Sequence, residues 1–138
     1  MNPNETIKRY LEAMLAWEID FYNKQKSDAY KTNSFERQKI KDKARERLNI
    51  IFDSYVKGGR HNILADATLA AIAVSHPPAY EQAIIEKSST VENCIETKQN
   101  NGFETYFQYH LHHSNIGWRI EKLKFSTDGK GWRSAKSL

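Results

Sequence analysis

The final third of the chain constrains the fold most. From Pro77 onward, apolar and polar residues alternate in short blocks closed by glycine turns, ending in Gly117-Trp118-Arg119-Ile120 and Gly131-Trp132. Alternation of this kind marks strands with one buried face, whereas the first half carries the wider spacing of amphipathic helices. Such strands bury their apolar side by curling over the helices. The expected class is therefore α+β, with N-terminal helices packed on a curved antiparallel sheet. A hollow enclosed that way can hold a ligand or present a surface to a partner, and the fold alone does not decide which.

A length of 138 residues suits one domain, expected to span 1–138. Mean hydropathy is −0.76, and no apolar run nears the roughly 20 residues that cross a bilayer. The opening Met1-Asn2-Pro3-Asn4-Glu5 lacks the basic-then-apolar order of a secretion signal, so a soluble, cytoplasmic protein without membrane contact is the expectation. The single cysteine, Cys94, excludes an internal disulfide and a multi-cysteine metal site. The net charge of +4 is concentrated: eleven Lys or Arg face five acids between Lys24 and Arg60.

Ile7, Tyr10, Leu11, Met14, Leu15, Phe21 and Tyr22 predict a first helix from Glu5 to Lys26, with Asn4 placed to cap it. After a polar stretch, Ile40, Ala44, Leu48, Ile51, Phe52 and Tyr55 predict a second, stopped by Gly58-Gly59. Its wet side carries Arg37, Lys41 and Arg45 beside Lys39, Lys43 and Arg47. That row could follow a nucleic-acid backbone with Tyr30 and Phe35 stacking on bases. Asp42 and Glu46 dilute its field, which favours a solvated face or a protein contact over nucleic acid. Residues 60–86 stay undecided. Neither period wins from Asn62 to Val74, and after the break at His76-Pro77-Pro78 the run Ala79–Glu86 reads as a short helix or as the approach to a strand.

Strand pairing must put apolar side chains on one face. Val91, Asn93, Ile95 and Thr97 match Phe103, Thr105, Phe107, Tyr109 and Leu111 if a three-residue turn, Asn100-Asn101-Gly102, joins them, setting Ile95 opposite Phe107 and Val91 opposite Leu111. A four-residue loop, Ser114-Asn115-Ile116-Gly117, sets Trp118 opposite His113 and Ile120 opposite Leu111. Leu123 and Phe125 keep the apolar face only if a bulge falls near Lys122. Asp128-Gly129 starts another turn, and a final strand carries Trp132.

This register places His110 between Glu92 and Glu121 on the polar face, with His112 between Thr90 and Arg119. Flanking carboxylates would ease protonation of His110, which suits a pH-sensitive contact, acid–base chemistry or a plain charge row across strands. His110 and His112 with Glu92 or Glu121 would make at most a sparse metal site, and none is expected. Cys94 beside Glu92 and Glu96 is poorly placed to ionise, and no nucleophile elbow, Walker loop or dinucleotide glycine fingerprint occurs, so neither nucleophilic catalysis nor a cofactor is indicated. Trp118, Ile120, Phe107 and Tyr109 are expected to fill the core, although a strongly curved sheet would let them line a pocket tipped by Asn93 and Thr97.

The succession His76-Pro77-Pro78-Ala79-Tyr80, Tyr106-Phe107-Gln108-Tyr109, Gly117-Trp118-Arg119-Ile120-Glu121 and Gly131-Trp132 resembles the nuclear transport factor 2-like immunity proteins of bacterial polymorphic toxin systems. The likeness covers Val74 to Leu138 by motif. It implies a cone-shaped domain that binds and neutralises one cognate toxin C-terminal domain in the cytoplasm, as monomer or homodimer and without catalytic residues. Enzymes of the same superfamily, such as polyketide cyclases and ketosteroid isomerases, share the strand pattern, which leaves a small-molecule isomerase or cyclase as the alternative. Family members that block nucleases are often acidic, whereas this chain is basic. Either the toxin presents an acidic surface, or an acidic row of Glu92, Glu96, Glu104 and Glu121 makes the contact, with Tyr106, His110, His112 and Arg119 completing the partner-binding set.

Overall fold

The computed structural model describes residues 2–86, 93–99, 101 and 104–138. Helix α1 (Pro3–Gln25) begins where the Asn2 side chain accepts the Glu5 amide at 2.8 Å. Asn2 rather than Asn4 is the cap, because Pro3, whose missing donor and fixed φ suit a first turn, draws the helix start back. One stripe of α1 buries Ile7, Tyr10, Leu11, Met14, Trp17 and Phe21. Each such side chain contributes roughly 1.5–3 kcal/mol by leaving water.

The polar stretch after α1 holds a short helix, α2 (Asp28–Thr32), capped by Ser27. Helix α3 (Ser34–Tyr55) packs on α1 through Ala44, Leu48 and Phe52, and the Trp17 indole donates to the Ala44 carbonyl at 2.9 Å. It stops at Tyr55, short of the glycines, because Val56 bridges to Ile120 and the Lys57 amide donates to the Ile120 carbonyl at 2.8 Å. Gly59 has φ +56°, and a Cβ there would stand 2.4 Å from Asp53 Oδ1. Glycine lets the chain pass that close. The alanine-rich run then folds as α4 (Ile63–Ala71), capped by Asn62.

Five antiparallel strands follow in sheet order equal to chain order: β1 (Gln82–Ile84), β2 (Cys94–Gln99), β3 (Thr105–Ser114), β4 (Gly117–Ser126) and β5 (Arg133–Ser134). The run Ala79–Glu86 thus contains a strand, and Trp132 sits just before β5 rather than inside it.

The hairpin β3–β4 pairs His113 with Trp118 and Leu111 with Ile120, as the alternation requires. Its register shifts between His110, which pairs with Lys122, and Leu111, so Glu121 is the extra residue of a bulge that returns Leu123 and Phe125 to the apolar face. Pairing of β2 with β3 differs from expectation by two residues: Ile95 lies opposite Tyr109, and Thr97 opposite Phe107. A two-residue slip preserves the buried face, so alternation cannot detect it. Here the chosen register gives Thr97 and Tyr109 a shared acceptor in Gln82. The expected turn at 100–102 and the pairing of Val91 with Leu111 involve residues outside the described set.

Candidate functional site

Between sheet and helices the hollow is filled by aromatic rings. Tyr10 meets Tyr109 edge-on at 6.1 Å and Tyr55 at 6.0 Å, while Phe107 tilts against Tyr109 at 6.4 Å. The Tyr109 hydroxyl donates to Gln82 Oε1 at 2.9 Å, and the Thr97 hydroxyl donates to the same oxygen at 2.6 Å. Burial pushes the hydroxyls of Tyr10, Tyr80 and Tyr109 above the ordinary tyrosine range, and the charge of Glu18 adds to the effect at Tyr80. Such phenols stay protonated at neutral pH, able to donate a hydrogen bond but not to act as bases. Tyr10 Oη is buried with no partner among the described residues.

Glu18 is the acid of this interior. It is 1% exposed, and its two carboxylate oxygens accept the amides of Ser75 and Tyr80, each at 3.1 Å. The carboxylate is thereby spent on holding the segment that leads into β1. Next to it Tyr22 stacks on His76 at 4.7 Å, and the Tyr80 hydroxyl donates to the Leu138 carbonyl at 2.8 Å. Sequence reasoning missed Glu18, although a signal existed: it lies on the apolar stripe of α1, one turn beyond Met14 and one before Phe21, where a lone acid needs a buried partner.

The outer face of the sheet carries the residues expected to meet a partner. His110 stands there between Cys94 and Lys122, rather than between Glu92 and Glu121. The two-residue slip replaces one acid and the bulge displaces the other; Glu92 itself lies outside the described residues. The basicity of His110 is correspondingly lowered, not raised: desolvation dominates, Lys124 and Lys122 add to it, and Glu121 only partly opposes. Its Nε2 is buried without a partner among the described residues.

The acidic row does not stand alone. Glu104 pairs with Lys98 at 3.3 Å and Glu121 with Lys57 at 3.5 Å, while Glu96 lies half-buried opposite Gln108. Lys98 also sits over the Tyr106 ring at 5.6 Å, and that ring lies close to Gly129 of the last turn. His112 pairs with Arg119 as expected, and both line a cleft of about 450 Å³ against Lys57, Gly58 and the exposed Ile116. The outer face is thus one of mixed charge.

A family model described as NTF2 fold immunity protein matches residues 2–136. The chain belongs to this immunity family. No curated protein and no solved structure matches it. The match covers the helices as well as the strands, so the α+β cone inferred from the C-terminal motifs extends over residues 2–136.

In this immunity family member the basic helix divides by residue type. Arg37 donates to the carbonyls of Tyr30 and Lys31, Arg45 to that of Leu69, and Arg47 to Asp20. Lys39 and Lys43 remain exposed. Guanidinium groups, with their planar forks, tie α3 to α2, α4 and α1, while the ammonium groups serve hydration. Among the described residues no three of His, Cys, Asp or Glu form a metal-holding group, and no helix is long and apolar enough to cross a membrane.

Proposed function

We propose that this family member is a non-enzymatic immunity protein. It binds the C-terminal domain of a cognate toxin of a bacterial polymorphic system in the cytoplasm of the producing cell and neutralises it by occlusion or locking. The family match over 2–136 carries this reading. The interior supports it: protonated tyrosines and a carboxylate committed to two backbone amides leave no base poised in the cone among the described residues. Residues 1–138 act as one domain, and Glu92, Glu96, Glu104, Tyr106, His110, His112, Arg119 and Glu121 on and around the outer face take part in the contact.

The test is to express the variable C-terminal domain of the large protein encoded beside this gene, alone and with this chain. Rescue of growth together with a stable isolated complex is expected. Growth arrest that co-expression does not relieve would overturn the reading. Turnover of a cyclic enone or ketosteroid by the purified chain would instead favour the isomerase or cyclase alternative.

A further inference from the structure

Strand β1 is the open edge of the sheet among the described residues, and a groove of about 410 Å³ separates it from α1. Ala83 pairs with Lys98 and the Ile85 amide bonds the Glu96 carbonyl at 2.9 Å, so in the antiparallel alternation the amide and carbonyl of Ile84 point out of the sheet, toward the open side. Leu11 and Leu15 of α1 line the groove together with the Ile84 side chain. Its rim carries Glu12, Glu81 and Glu86 against the lone Lys8. Among the described residues Glu12 and Glu86 make no ion pair, in a chain whose net charge is +4, and Glu81 accepts a hydrogen bond from the Asn101 side-chain amide.

We propose that this edge and groove receive an extended basic segment of the toxin, added to the sheet as a further strand beside β1. The identity of the partner rests on the function proposed above. Backbone pairing to Ile84 supplies generic affinity; apolar residues at alternate positions of the segment enter over Leu11 and Leu15, and its Lys or Arg residues meet the three carboxylates. An acidic rim on a basic molecule selects a cationic segment and repels an anionic one. The outer face adjoins this edge through β2, so one partner spans both.

Two probes test it: a synthetic peptide of alternating lysine and valine, about eight residues long, and the neighbouring toxin domain. The peptide is expected to bind the intact protein, to slow hydrogen exchange at the Ile84 amide, and to lose affinity as salt rises from about 50 to about 300 mM. A glutamate–valine peptide should not bind. Glu12→Lys with Glu86→Lys should weaken the lysine peptide and the toxin domain about tenfold or more. Ile84→Pro removes the outward donor while sparing the β2 ladder, so it should weaken both where its circular dichroism stays native; Ile84→Ala keeps the donor and should retain most of the binding. Peptide binding that is absent, or equal in the double lysine variant, overturns the proposal. Undiminished toxin affinity in that variant overturns it while leaving neutralisation intact, whereas a toxin that never binds the unaltered protein defeats the functional reading itself.

Discussion

Replacing Glu18 by glutamine tests the interior most directly. The substitution keeps shape and volume but turns one carboxylate oxygen into an amino group, which then faces a backbone N–H. Of the two bonds at 3.1 Å, to Ser75 and Tyr80, one is lost and the other ceases to be charge-assisted. Hydrogen bonds to charged groups contribute about 1.5–3 kcal/mol each, and a stranded buried donor costs about 1–3 kcal/mol. Release of the buried charge from its desolvation offsets part of this, leaving an expected loss of about 2–4 kcal/mol. Glu18→Leu strands both amides and should cost about 3–5 kcal/mol. Urea unfolding followed by the fluorescence of Trp17, buried one residue away, reads both changes. Exchange of the Tyr80 amide should accelerate further than global unfolding requires, because the 75–80 segment loosens first. A Glu18→Gln protein within about 0.5 kcal/mol of the parent, with Tyr80 exchange unchanged, would refute the claim that this carboxylate anchors the approach to β1.

Three further outcomes follow. Arg45→Lys loses the bond to Leu69 and should lower stability by about 1 kcal/mol, whereas Lys39→Gln should stay within about 0.5 kcal/mol, as thermal melts would show. The amides of Gly131 and Lys130 and the Ser126 hydroxyl hold Asp128 down to about 2, so its stabilising contribution is complete above the ordinary 3.8 and fades as pH falls toward 2; Asp128→Asn should flatten that part of the acid denaturation curve. His110 has its basicity lowered, so the unfolded chain binds the extra proton; stability should be full above 6.5 and decline as pH drops below it, a slope that His110→Gln should reduce in melts taken across that range.

Much of this fold was legible because burial imposes period and face. Alternation through Leu111, Ile120 and Leu123 gave the buried face of β3–β4 and the need for a bulge, while the short connection from Ser114 to Gly117 fixed which residues pair. Where period is silent, the sequence was silent too. Sliding β2 by two residues keeps Ile95 inside, and only the side-chain bonds of Thr97, Tyr109 and Gln82 distinguish the two registers. Those partners lie 15 and 27 positions apart, beyond any local pattern. The same slip replaced one expected neighbour of His110, and the burial that dominates its lowered basicity has no local signature in the sequence. Glu18 went unseen because its partners are main-chain amides, which carry no letter of their own. The row of six cations on α3 looked uniform until carbonyls of other helices claimed Arg37 and Arg45 and the Asp20 carboxylate claimed Arg47.

The bulge at Glu121 has an evolutionary corollary. It acts as a phase shifter between two stretches of one ten-residue strand. Exchanging its side chain would forfeit the pairing with Lys57 and its proposed share of the toxin contact, yet deleting the residue would invert the pleat on one side, turning Trp118 and Ile120 out to water and Arg119 into the cone. Descendants of this chain can therefore change the letter at that site as the partner changes, while its count stays frozen.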